Sequence, residues 1–185
     1  CGIFHLIPVD VVMDSEISFY ALCALMFSVG LSVGNDPQTL KNFRSLNPRL
    51  VFLPVMTILG TLAGSAAVSL ILTHRSVTDC LAVGSGFGYY SLSSIFITEY
   101  KGAELGTIAL LANISREILT LLASPLLVRW FGNLAPISAG GATTMDTTLP
   151  IITRTAGQQF VVVSIFHGFV VDFSVPFLVT LFCSI

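Results

Sequence analysis

The sequence predicts an all-α integral membrane protein with about six transmembrane segments, two of them discontinuous. Three observations predict it. Of 185 residues, 54% are hydrophobic and 10% charged, with a mean hydropathy of +0.90, whereas soluble domains carry about 25% charged residues. The apolar content falls into stretches near the ~20 residues that cross the hydrocarbon of a bilayer. Two of those stretches hold glycine and hydroxyl clusters where an unbroken span would be apolar.

The shortage of charge runs along the whole chain, so six spans and short loops leave no room for a separate extramembrane domain. The chain opens on Cys1 rather than Met, and residues 1–17, with Pro8, Asp10 and Asp14, lack the basic start of a signal peptide. They read as an N-terminal segment with a piece missing upstream; 18–185 reads as the membrane domain. A net charge of −2 argues against a nucleic-acid partner and against a polybasic membrane patch. Cys1, Cys23, Cys80 and Cys183 show no CxxC spacing, so neither a metal nor a cofactor is expected and the cysteines read as small hydrophobes.

The first span, at 18–33, stops at Gly34-Asn35-Asp36-Pro37, which halts a helix. The second, at 50–73, carries Gly60 and Gly64 at the spacing that lets another helix approach. The third, at 78–98, contains Gly84, Gly86, Gly88 and then Ser91. Each glycine weakens a helix by about 1 kcal/mol relative to alanine, which predicts a break. The fourth, at 105–130, is apolar except for Asn113, Ser115, Arg116 and Glu117. The fifth, at 136–154, is interrupted by Gly140, Gly141, Thr143, Thr144 and Asp146, and the sixth, at 160–185, carries His167, Asp172 and Pro176.

Segments three and five are alike at an offset of 54 residues, where Ser85-Gly86 matches Ala139-Gly140 and Asn113 matches His167. Interrupted segments at corresponding places in a repeat point to a transporter. With six spans, one side receives Lys41, Arg44, Arg49, Lys101 and Arg154, and the other Arg75 and Arg129. By the positive-inside rule the loop at 35–49 is cytoplasmic and both termini are periplasmic. Re-entry of either broken segment would change this topology.

Irregular backbone survives at membrane depth only against protein or a wet cavity, so two breaks predict a polar pocket whose half-helix ends attract carboxylates and cations. A charge at the bilayer centre costs about 2.5–3.5 kcal/mol on insertion scales, which makes Arg116 and Glu117 candidate site residues. Asn113 and Glu117, four apart, share a helix face expected to meet the cavity. Arg116 is expected to turn toward an acid on another segment, such as Asp172, which shares a stripe with Ser164 and Gly168. Asp146, amid Thr143, Thr144, Thr147 and Thr148, is expected to be held by hydroxyls or to meet a cation. His167 reads either as a proton relay or as a packing residue. No GxGxxG, P-loop, HExxH or GxSxG pattern is present, so no enzyme chemistry is indicated.

From about residue 20 onward the chain resembles the bacterial lysine exporter family. The resemblance is carried by the runs 85–93, Thr98-Glu99, Arg116-Glu117-Ile118-Leu119, 141–146, Thr148-Leu149-Pro150 and His167-Gly168-Phe169. It implies a bacterial inner-membrane transporter that exports L-lysine and analogues such as thialysine. It further implies a fold akin to bile-acid symporters and cation/proton antiporters, with crossing broken helices, and intramembrane acids at Glu117 and Asp146. Full-length members have roughly 100 further residues, supplied in some by a small membrane protein, so such a partner is expected, as are lipid and a homodimer. Exchange of lysine for a proton is the expected coupling. The alternatives are a sodium-coupled transporter of organic anions and a non-transporting subunit of a membrane complex.

Overall fold

A computed structural model describes residues 48–72 and 74–185. The segment at 1–17, the expected first span at 18–33, and Lys41 and Arg44 lie outside the described residues. All regular structure among those described is helical.

A single turn, Pro48–Val51, leads into α1, Leu53–Ser69, with Pro54 in its first turn, where the missing N–H costs nothing. Helix α2, Val77–Gly84, starts at Ser76, whose hydroxyl accepts the Asp79 N–H at 3.1 Å. Helix α3, Tyr90–Lys101, follows a five-residue break and ends at Gly102, whose φ of 91° turns the chain directly into α4, Ala103–Phe131. After Gly132 come α5, Ala135–Gly140, a 3-10 turn at Gly141–Met145, and α6, Leu149–Ala156. Gly157 and a short 3-10 turn then precede α7, Val161–Ser184.

Among the described residues, only α4 and the stretch Gln158–Ser184 that includes α7 are both long and apolar enough to cross a bilayer, with mean hydropathies of 1.4 and 1.9. At 1.5 Å per residue α1, with 17 residues, is about 25 Å long. Helix α4 is built inside out. Ile108, Leu111, Ile118, Leu119, Leu122 and Leu126 are exposed, while Gly106, Ala109, Asn113, Thr120 and Ser124 form its buried stripe. An apolar exterior around a polar interior suits lipid, not water, and exposed Trp130 and Phe131 end the helix with the aromatics that favour a membrane interface.

Segments three and five are both interrupted, but each turns back instead of crossing. Lys101 at the end of α3 lies 3.7 Å from Asp79 at the start of α2, and Arg75 just before α2 pairs with Glu104 just after α3. The two ends of the segment are therefore at the same end of the molecule. Helices of 8 and 12 residues, about 12 and 18 Å long, descend and return as a hairpin, hairpin A, whose tip at Ser85–Tyr89 reaches Asn113, near the middle of α4. Hairpin B is formed by α5 and α6 and enters from the other end. Ile137 of α5 and Ile152 and Ala156 of α6 share one buried cluster with Val163, against Val128 and Leu134 at the C-terminal end of α4. Its tip at Gly141–Met145 lies against Arg116 near the middle of α4 and against Ser164, His167 and Gly168 in the first third of α7.

Segments three and five thus re-enter instead of spanning, the case in which the six-span topology was expected to change. This corrects the charge count, since Lys101 shares an end with Arg75, while Arg129 and Arg154 lie at the opposite end, where α4 and α6 finish. Each hairpin is followed by one long helix, so the second hairpin-plus-helix unit enters opposite to the first. The 54-residue offset is thus the period of an inverted pair.

The spacing of Gly60 and Gly64 promised a helix contact; among the described residues a Cβ at either would meet nothing within 4 Å. The close approach is made by Gly84, where a Cβ would collide with the Ser65 side chain of α1.

Candidate functional site

The two tips meet. The Ala142 N–H donates to the Phe87 carbonyl oxygen at 2.9 Å. A Cβ on Gly88 would come within 3.1 Å of the Gly140 carbonyl oxygen, and one on Gly141 would strike the Phe87 carbonyl. The turn of tip A needs φ of 45° at Phe87 and 95° at Gly88, and tip B needs 65° at Gly141. For Phe87, a fully buried side chain, a left-handed backbone is unusual and persists only where its surroundings enforce it.

Each tip is held by the long helix that follows it. Asn113 accepts the Gly88 N–H at 2.8 Å through Oδ1, and its Nδ2 donates to the Val83 carbonyl at 3.3 Å. It thus stitches the end of α2 to the turn below it, and a Cβ on Gly86 would run into its amide. At the equivalent place in the second unit, His167 is fully buried. Its Nδ1 lies 3.2 Å from the Thr144 hydroxyl and its Nε2 lies 2.9 Å from the Thr57 hydroxyl of α1. Ser164 and Thr144 exchange hydroxyl-to-carbonyl bonds, both at 3.0 Å. Gly168 completes this seat, because a Cβ there would stand 2.7 Å from the Met145 nitrogen.

The threonines of tip B are turned to its own backbone. Thr143 donates to the Gly140 carbonyl, Thr144 to that of Gly141, and Thr148 to that of Thr143. They do not hold Asp146, contrary to expectation. The Asp146 side chain is exposed, and its Oδ1 accepts only the Thr147 N–H, at 2.6 Å, among the described residues. Three expected break residues are helical: Gly84 ends α2, Gly140 ends α5, and Ser91 is an exposed residue of the first turn of α3.

Arg116 departs furthest from expectation. No carboxylate among the described residues pairs with it. Its Nε donates to the Ala139 carbonyl at 2.8 Å, Nη2 to that of Ser138 at 3.1 Å, and Nη1 reaches the Thr61 hydroxyl at 3.4 Å. Its guanidinium carbon lies 5.9 Å from the centre of the Phe87 ring. The C-terminal carbonyls of α5 are the negative end of a helix left open at membrane depth, and the guanidinium covers them. A single cation thus touches α1, tip A and hairpin B.

The acids lie elsewhere. Asp172, one turn beyond Gly168 on the buried stripe of α7, is 4% exposed and has no hydrogen-bond donor among the described residues. Glu117 falls on the interior stripe of α4, between buried Asn113 and buried Thr120, yet it is only partly buried and pairs with no described residue.

Tyr89, Thr57, Thr61 and Phe87 were missed as site residues. For Tyr89 the signal was present, since it sits inside the glycine run; Thr57 and Thr61, four apart on one face of an apolar span, offered a weaker one.

A cavity of about 800 Å³ lies between α1, α2 and α4, bordered by Thr61, Ser65, Val83, Ile108, Asn113 and Arg116 and reaching Arg75 and Asp79 at its far end. A second, of about 520 Å³, lies against α4 from Ala112 to Leu127 and also touches Arg116. Among the described residues no cluster of side chains suits a metal ion.

The family model described as "Lysine exporter LysO" matches residues 1–183. The "Lysine exporter LysO" of Escherichia coli (strain K12) is 37% identical over 170 residues, covering 92% of this chain and 56% of that protein. A Haemophilus influenzae relative, likewise named for lysine export, is 35% identical over 167 residues, covering 90% of this chain and 84% of its own. The chain thus spans about half the length of the Escherichia coli relative. No solved structure matches it.

Proposed function

Because this chain belongs to the lysine exporter family, a family of transporters, we propose that it exports L-lysine, and analogues such as thialysine, across the bacterial inner membrane in exchange for protons. The observation that carries the reading is the meeting of two opposed hairpin tips halfway through the helix bundle, with Asp146, Asp172 and Glu117 around it. Irregular backbone at that depth survives only against protein or a polar cavity, and broken helices of this kind are where transporters place a polar substrate. The ammonium groups of lysine meet Asp146 and Glu117.

Lysine carries a net positive charge at neutral pH. Moving one such charge outward against a negative interior costs about 2.3 kcal/mol per 100 mV. Exchange for one incoming proton removes that electrical term, and an acid that releases lysine on protonation couples the two fluxes. Arg129 and Arg154 mark the cytoplasmic end of the bundle, whereas Arg75 and Lys101 at the periplasmic end are each matched by an acid. The loop at 35–49 is then cytoplasmic and the C-terminus periplasmic.

The test is lysine efflux from cells fed a lysine dipeptide, with and without the neighbouring small membrane gene, since a small partner is proposed to supply further helices. Asp146→Asn and Glu117→Gln should each stop efflux while the protein still inserts. Unchanged efflux from either variant removes that acid from the mechanism, and dependence on a sodium gradient instead of a pH gradient replaces the proton.

A further inference from the structure

Among the described residues no anion balances the charge of Arg116. Of the five N–H donors of a guanidinium, Arg116 engages one each with Ala139, Ser138 and, at a long 3.4 Å, Thr61. The remaining donors have no acceptor among the described residues. Its protein partners are carbonyls, a hydroxyl and a ring face, none of which carries a formal charge, and a buried cation without an anion is among the costlier arrangements in a fold. The side chain is only partly buried because it borders the two cavities that flank α4.

We propose that Arg116 is the carboxylate-binding residue of the transport site, receiving the α-carboxylate of the amino acid through the 800 Å³ cavity. This rests on the lysine-export reading and adds to it the group that distinguishes an amino acid from a plain diamine. A planar guanidinium with free donors matches a carboxylate better than any other side chain. The cavity is of the size that holds a small molecule, and Val83, Ile108 and Leu105 along it offer an apolar wall to an alkyl stem. Glu117 is the next residue on α4, so a carboxylate at Arg116 leaves the ammonium groups to the acids. Since the same guanidinium touches hairpin B and the ring of Phe87 in tip A, the arriving carboxylate acts on the group that joins the two tips.

The experiment is competition against radiolabelled lysine transport in membrane vesicles, using lysine, lysinamide and 1,5-diaminopentane. For the wild-type protein lysine should compete at least about tenfold better than either analogue, a difference of about 1.4 kcal/mol. Arg116→Lys and Arg116→Gln should bring that ratio toward one, more so for glutamine. Loss of transport rate with the wild-type ratio kept would make Arg116 a purely structural pin and overturn the proposal, as would a wild-type protein indifferent to the carboxylate. Should the variants fail to insert, thermal stabilisation of the purified wild-type protein by lysine but not lysinamide is the expected result, and equal stabilisation overturns it. A wild-type protein that moves no lysine refutes the export reading itself. One that moves lysine and lysinamide alike refutes only the role of Arg116.

Discussion

Replacing Asn113 with leucine tests whether the hairpin tip is held as described. The substitution keeps the branched shape and heavy-atom count of the side chain but removes both ends of the stitch. Gly88 then loses the only acceptor its N–H has among the described residues, and Val83 loses one of three donors, keeping the Ser85 N–H and the Gly86 N–H, the latter at 3.3 Å. An unsatisfied buried amide costs about 1–3 kcal/mol and a lost hydrogen bond about 0.5–1.5 kcal/mol, so the expected destabilisation is about 1.5–4.5 kcal/mol. That exceeds the ~0.6 kcal/mol average of single interhelical bonds in membranes, because a main-chain N–H in a tight turn at this depth cannot turn to water. Reversible unfolding in mixed micelles measures the change, and lysine efflux reports its effect on the tip. A variant within about 0.5 kcal/mol of wild type and fully active would refute the assignment of Asn113 as the support of tip A.

Two further outcomes follow from geometry alone. In a background without native cysteines, single cysteines at 75 and 101 should be labelled by an impermeant reagent from one side of the membrane, and cysteines at 129 and 154 from the other. Labelling of 75 and 101 from opposite sides would restore a spanning third segment. Gly60→Ala and Gly64→Ala should leave stability unchanged or raise it by up to about 1 kcal/mol each, as nothing stands near the added methyl. Gly84→Ala should destabilise by forcing Ser65 aside, and equal effects at all three positions would count against the packing of α1 on α2.

The breaks were legible because glycines such as Gly86, Gly88 and Gly141 lower helix propensity inside runs whose neighbours are otherwise apolar, and both runs are indeed interrupted. The equivalence of Asn113 and His167 was legible from spacing and reappears as two side chains that each hold the tip before them. Direction was not. Helices of 8 and 12 residues separated by a short turn add up to the length of one span, and hydropathy records depth without recording whether the chain returns. The sign was the pair of opposite charges, Asp79 and Lys101, at the two ends of segment three, which a spanning helix would place about 30 Å apart. The partner of Arg116 was hidden for a different reason. Sequence reading matches a buried cation to an acid, but the acceptors are backbone carbonyls, which every residue has and no residue type signals.

The bond from Ala142 to Phe87 has a consequence for synthesis. When the ribosome has completed α4, hairpin A is whole, yet the Phe87 carbonyl faces no partner until Ala142 emerges and hairpin B enters from the far leaflet. Tip B in turn is not seated until Ser164, His167 and Gly168 arrive with α7. Each tip is thus completed by residues made after it, tip A by Ala142 and tip B by Ser164, His167 and Gly168.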